Sequence, residues 1–181
     1  MPQRRRPSPP AEPAGPGPIV ASAHLAAGAS PALSEVEYGL ILAGHAFQRW
    51  MVRNMAAAGL PGLSPTEVLI LHAVRNRDRP KRQAEILLAL GIEDAHIATY
   101  AIRKLAGAGL VTLGRAGKEK LVAATPAGVA LCDRYAALRE RLLAGPVRQG
   151  GPAEAELSAL AALLRTLSGF YDTAARGAAV L

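Results

Sequence analysis

Beyond residue 33, apolar residues recur every three or four positions over most of the chain, the spacing of helices that bury one face. Leu33-Ser34-Glu35-Val36-Glu37-Tyr38 reads as a helix start. Ser34 and Glu37 have capping-box spacing, with Leu33 and Tyr38 as the hydrophobic staple around it. That helix is expected to reach about Ala58 and stop at Gly59. The device repeats at Leu63-Ser64-Pro65-Thr66-Glu67-Val68, with Pro65 at the first helical position, and predicts a second helix to about Val74. Arg75 to Pro80 is a polar connector. A short third helix is predicted from about Lys81 to Leu90 and is broken by Gly91. Glu93 or Asp94 opens a fourth, running to about Ala108 and ending at Gly109. On this fourth helix Ile97, Ala98, Ala101, Ile102 and Leu105 gather on one side, and His96, Thr99, Tyr100 and Arg103 on the other.

The period then changes. Leu110–Leu113 and Lys120–Ala124 are short β-prone runs around the connector 114–119, whose two glycines suit a hairpin loop. Thr125-Pro126 caps a further helix to about Ala144. Gly145 to Pro152 is expected to be a loop, and a last helix spans about Ala153 to Ala175. The fold class is therefore mainly α with a small β-hairpin wing. A short helix, a glycine turn, a second helix and a hairpin make a winged helix-turn-helix, a unit whose second helix enters the major groove. The first 33 residues, rich in Pro, Ala and Gly after Arg4-Arg5-Arg6, have too little to bury and read as a disordered tail. Ala21-Ser22-Ala23 resembles a leader cleavage site, but the intervening prolines and His24 argue against a leader.

Composition sharpens this picture. The chain has 181 residues, 21 Lys+Arg against 14 Asp+Glu, a net charge of +7, four His and one Cys. A single cysteine and scattered histidines exclude a disulfide framework and offer no closed metal site, and no run is apolar enough to span a membrane. The expected setting is cytoplasmic. Residues 34–74 carry a net −1 and residues 121–181 a net +1, whereas residues 75–120 hold ten basic and five acidic side chains. The excess charge is thus concentrated around the helix-turn-helix, as a polyanionic partner requires.

From Ser34 to Tyr171 the chain resembles the MarR family of bacterial transcriptional regulators. The resemblance rests on LSPTEVLILHAV ahead of the motif, QAEILLALGI as its first helix, IRKLAGAGLV from recognition helix into wing, and TPAGVAL as a Thr-x-x-Gly entry to the next helix. It implies a homodimer with intertwined outer helices and two winged domains presented to a palindromic operator in double-stranded DNA. One departure stands out: where many members carry Asp-x-Arg in the wing, this chain has Ala116 and Lys118. Lysine keeps the charge but lacks the planar fork, so wing contacts are expected at phosphates rather than bases.

The expected organisation is a tail (1–33), an N-terminal dimerisation helix (34–62), a winged DNA-binding region (63–125) and C-terminal dimerisation helices (126–181). Dimerisation also follows from wide apolar arcs: Val36, Leu40, Phe47 and Met51 on the first helix, with Tyr38, Ile41 and Leu42 elsewhere around it, and Leu157 to Tyr171 on the last. The alternative is a thicker core within one chain. Candidate DNA contacts are Arg82, His96, Thr99, Tyr100, Arg103, Lys104, Arg115, Lys118 and Lys120. Arg103 suits guanine N7 and O6, Thr99 a thymine methyl, and the lysines phosphates. Each alone reads equally well as an ordinary exposed side chain; their grouping on one helix and wing carries the inference. A winged-helix module that binds protein without sequence-specific DNA readout is the competing reading. No catalytic constellation or cofactor motif is recognised. Cys132, within an apolar run, is read as buried and inert rather than as a redox sensor. His45 and Trp50 suit either an effector pocket or helix packing, which leaves room for a small-molecule effector.

Overall fold

The computed structural model describes residues 17–181, so the Arg4-Arg5-Arg6 run lies outside the described residues. The chain forms two compact units that part between Trp50 and Met51. In the first, a short helix α1 (Ala23–Ala26) precedes the long α2 (Pro31–Ala57). The amide of Ile19 donates to Glu35 Oε1 at 3.1 Å. α2 begins a turn earlier than its sequence signal suggests. Pro31, whose ring presets φ and which has no N–H to satisfy, opens the helix, so Ser34 lies inside the first turns rather than at the cap.

In the second unit α2 ends as expected, with Gly59 at φ +112°. Arg134 Nε closes that end by donating to the carbonyl of Ala58 at 2.6 Å. α3 (Pro65–Arg75) has the predicted capping box in both directions: Ser64 N to Glu67 Oε2 at 2.7 Å, and Glu67 N to Ser64 Oγ at 3.3 Å. A 3₁₀ turn at Asn76–Asp78 follows.

The third helix differs from expectation. Lys81–Arg82 form a short strand β1, and helix α4 runs only from Gln83 to Leu90. Pro80 sends the chain off extended, and the edge of the wing sheet lies alongside to pair with it. The wing is thus a sheet of three antiparallel strands ordered β1-β3-β2, with β2 Val111–Ala116 and β3 Glu119–Ala124. The strands outgrow the predicted runs and leave a loop of Gly117 and Lys118 alone, because Ala116 pairs with Glu119. Only Gly117 of the two wing glycines has positive φ, +61°; Gly114 is an ordinary strand residue opposite Leu121.

Between α4 and the wing lies α5 (Ala95–Gly107), capped by Asp94, whose carboxylate accepts the His96 amide at 2.7 Å. After the wing, α6 (Pro126–Arg139) starts at Thr125, whose hydroxyl accepts the Gly128 amide at 3.0 Å. The expected loop at 145–152 is largely helical. A wide π turn at Glu140–Ala144 leads into α7 (Gly145–Gly150), and α8 spans Glu154–Ala178. The wide turn has a cause in Pro146, which has no N–H to donate and whose ring crowds a regular helical turn before it.

One core holds the second unit together: Met55 of α2, Val68, Ile70, Leu71 and Val74 of α3, Ile86 of α4, Ala98, Ala101, Ile102 and Leu105 of α5, Val111 and Val122 of the sheet, Leu131 and Tyr135 of α6. Asn54 Nδ2 donates to the Tyr135 carbonyl within it at 3.2 Å, and His72 meets the Tyr135 ring edge-on at 4.5 Å. Burial lowers the His72 pKa. Cys132 is buried here as well, and burial, opposed by Arg75 and aided by Asp133, pushes its thiol up to about 11. Folded protein is therefore expected to react with a thiol reagent at pH 8 far more slowly than urea-unfolded protein; equal rates would contradict the buried placement.

Gly128 makes a second demand. A β-carbon there would fall inside the carbonyl of Leu110, which also accepts the Thr125 amide at 3.0 Å. Helix propensity alone favours Gly128→Ala by about 1 kcal/mol, whereas overpacking against backbone costs about 1–3 kcal/mol or more. The variant is expected to be less stable in urea unfolding by about 2 kcal/mol net.

Candidate nucleic-acid interface

Asp94 fixes where α5 starts, and the stripe Ala98, Ala101, Ile102 and Leu105 fixes which side turns inward. His96, Tyr100 and Arg103 consequently face outward, with Tyr100 70% exposed. Ile97, expected on the inner side, is 51% exposed and joins this face. At 100° per residue it lies about 80° from Leu105, on the margin of the stripe, and the fold leaves that margin open. Thr99 is half-buried between helices. Its hydroxyl donates to the Ala95 carbonyl at 2.8 Å and accepts from Gln83 Nε2 at 2.7 Å. Gln83, which sequence reasoning did not single out, therefore ties the start of α4 to the outward side of α5.

The wing completes the surface. A cleft of about 320 Å³ opens between α5 and the sheet, lined by Gln83, Thr99, Arg103, Leu113, Arg115 and Lys120 among others. Three cations from three elements, Arg103 of α5, Arg115 of β2 and Lys120 of β3, thus converge on one concavity, and Lys118 stands exposed at the wing turn.

Two other sequence candidates have partners of their own. Arg82 Nε lies 2.6 Å from Glu119 Oε2 and 3.9 Å from Glu85, which holds β1 to the wing and offsets its charge. Lys104 Nζ donates to Glu67 Oε2 and to the Gly62 carbonyl, both at 2.9 Å. Glu67 is buried, so Lys104 is the counter-ion of an internal carboxylate.

The basic segment is also divided in space. β1 runs antiparallel to β3, with Lys81 opposite Val122 and Arg82 opposite Leu121. Chain preceding Lys81 therefore leaves at the Thr125 end of β3, whereas the Gly117-Lys118 turn closes the other end. Arg75, Arg77, Arg79 and Lys81 belong to that far end.

Residues 63–128 match the family model described as a winged helix DNA-binding domain. No curated protein sequence matches the chain. Among solved structures, a MarR-family transcriptional regulator from Rhodococcus sp. RHA1 superposes with TM-score 0.60 at 19% identity, over 75% of this chain and 94% of that one. CouR from Rhodococcus jostii RHA1, bound to p-coumaroyl-CoA, gives 0.61 at 21% identity over 76% and 95%. A cysteine-to-serine variant of E. coli MarR complexed with operator DNA gives 0.59 at 17% identity over 71% and 89%. The fold is that of the MarR-family transcriptional regulators. Within it, α4 and α5 are the helix-turn-helix and β2–β3 the wing. Among the described residues no helix is long and apolar enough to cross a membrane, and no cluster of His, Cys, Asp and Glu has metal-site geometry.

Lys104→Met should lower stability by about 1–2 kcal/mol in urea unfolding, because it strands the buried Glu67 carboxylate. Adding Glu67→Gln should recover part of that loss, and strict additivity of the two changes would contradict the pairing.

Proposed function

We propose that the chain is a homodimeric, sequence-specific DNA-binding transcriptional regulator of the MarR type, acting in the cytoplasm. The observation that carries this reading is the convergence of Arg103, Arg115 and Lys120 on the cleft between α5 and the wing, beside the outward His96, Ile97 and Tyr100. In this reading α5 lies in the major groove. Arg103 reads a guanine edge, Ile97 offers an apolar surface to a thymine methyl, and Tyr100 and His96 contact base or phosphate. Arg115, Lys118 and Lys120 hold the flanking backbone and gain affinity by releasing condensed counterions. Thr99 acts through its bond to Gln83, which sets the angle between the two motif helices. Lys104 and Arg82 support the framework.

The outer helices support the second copy. α8 has no buried residue, yet carries Leu160, Leu163 and Phe170 at 51%, 61% and 69% exposure. In the first unit Ile41, Leu42 and Phe47 of α2 are 48–53% exposed. Removing such apolar area from water contributes about 25 cal/mol per Å², and symmetric association covers it without another gene product. Residues 34–62 and 126–181 are accordingly the dimerisation segments, and 63–125 the DNA-binding region. A dimer then presents its two α5 helices to half-sites about one helical turn apart on a palindrome. CouR is held with p-coumaroyl-CoA; a small-molecule effector for this chain fits the same pattern.

Selection from randomised duplexes tests the reading. An enriched palindrome is expected, with log K against log salt sloping near −5, from about six phosphate contacts per dimer. Arg103→Ala should relax one position per half-site at a cost of about 1–3 kcal/mol. Light scattering should give twice the 18.8 kDa of one chain. Binding with no enriched sequence would favour the protein-interaction module instead, which the missing Asp-x-Arg and the internal pairing of Arg82 and Lys104 favour. A single-chain mass would remove the dimer.

A further inference from the structure

At the end of the sheet remote from the wing turn, the connector between α3 and β1 adopts an unusual conformation. Arg77 (φ 60°) and Asp78 (φ 46°) are the only non-glycine residues with positive φ among the described residues. A left-handed residue with a β-carbon costs about 1–2 kcal/mol, so the surroundings must impose it. They do so through three anchors. Lys81, 6% exposed, donates from its ammonium to the carbonyls of Asn76 and Arg79, the second at 3.0 Å. Arg75 holds the Asp78 carboxylate. Arg79 reaches Glu85 at 3.0 Å and the Pro80 carbonyl at 3.1 Å.

Asn76, Arg77, Arg79 and Lys81 of this connector form one wall of a cleft of about 290 Å³, whose apolar lining is Ala73, Ile86, Leu88 and Ala89. Its charged lining is Arg77, Arg79, Lys81 and Glu85. Glu85 is neutralised by Arg79. Arg77 makes no hydrogen bond or ion pair among the described residues, and the Lys81 ammonium has a third proton beyond the two carbonyls it serves. Leu88 is 86% exposed beside them. A cationic rim over an apolar floor, at the lower end of the size range of small-molecule sites, matches one kind of ligand.

We propose that this cleft binds a small amphipathic organic anion, its carboxylate or phosphate on Arg77 with Lys81 behind it and its apolar body over Ile86 and Leu88. The site is separate from the α5–wing cleft and shares no residue with it. It also accounts for Arg77. Glycine or asparagine would fill a left-handed position with less strain, whereas an arginine held there places a free guanidinium at the mouth of the cleft.

Titration calorimetry of the full chain, with 1-naphthoate as the probe, tests the site. Saturable binding of one naphthoate per chain is expected. 1-Naphthalenemethanol, which lacks the charge, and inorganic phosphate, which lacks the apolar body, should each bind at least about tenfold more weakly. Arg77→Gly should weaken naphthoate by about tenfold or more while leaving the melting temperature equal or higher, since glycine accepts this φ without strain. Arg148→Ala, an exposed cation outside both clefts, should leave binding unchanged. The proposal is overturned by absence of saturable naphthoate binding, by undiminished affinity in Arg77→Gly, by equal loss in Arg148→Ala, or by phosphate binding as tightly as naphthoate.

Discussion

The carboxylate of Glu67 is the constraint on which the geometry of the winged domain depends. It is buried, and a buried anion without partners is costly enough that the fold must supply them. Two arrive: the Ser64 amide at the start of α3 and the Lys104 ammonium from the last turn of α5. A helix cap and an interhelical ion pair thus share one carboxylate. The turn and slide of α5 against α3 are set by a polar contact in addition to the less directional apolar stripe. The outward face of α5 inherits that precision. Gln83 and Thr99 add a contact between α4 and α5, so α5 is held by hydrogen bonds to both α3 and α4.

Net charge in the sequence did not foretell where the charge acts. The ten basic residues between 75 and 120 read as one cluster because they are close along the chain. The antiparallel register of β1 on β3 divides them, sending Arg75 to Lys81 to one end of the sheet and Arg115 to Lys120 to the other. Internal partners then remove Lys104 and Arg82 from the outward total. The field offered beside the wing comes from fewer charges than composition suggests, concentrated around a concavity where field lines are focused.

Features written into short stretches of chain were legible in advance. The Ser64–Glu67 box, the Asp94 cap, the Thr125-Pro126 start and the Gly59, Gly91 and Gly109 stops depend on residues within one turn of each other, so local sequence contains the whole interaction. What escaped depends on distant chain. Lys81 and Arg82 look helical until β3 is placed beside them. Ile97 looks buried until the margin of its stripe is left uncovered. The roles of Lys104 and Gln83 arise from residues 37 and 16 positions away. The helical character of 145–150 was hidden by its glycines and proline, which usually mark loops; a widened turn upstream admits Pro146 without ending the helix.

The joint between wing and α6 has a mechanical consequence. The Leu110 carbonyl accepts the Thr125 amide and lies against Gly128 with no space for even a methyl group, while the Thr125 hydroxyl donates to the Gly109 carbonyl at 2.7 Å. The exit of α5, the base of the hairpin and the first turn of α6 are thereby fused over a few ångströms, with no slack in which one could pivot alone. Tilting α6 must carry the hairpin with it, as a lever carries its short arm.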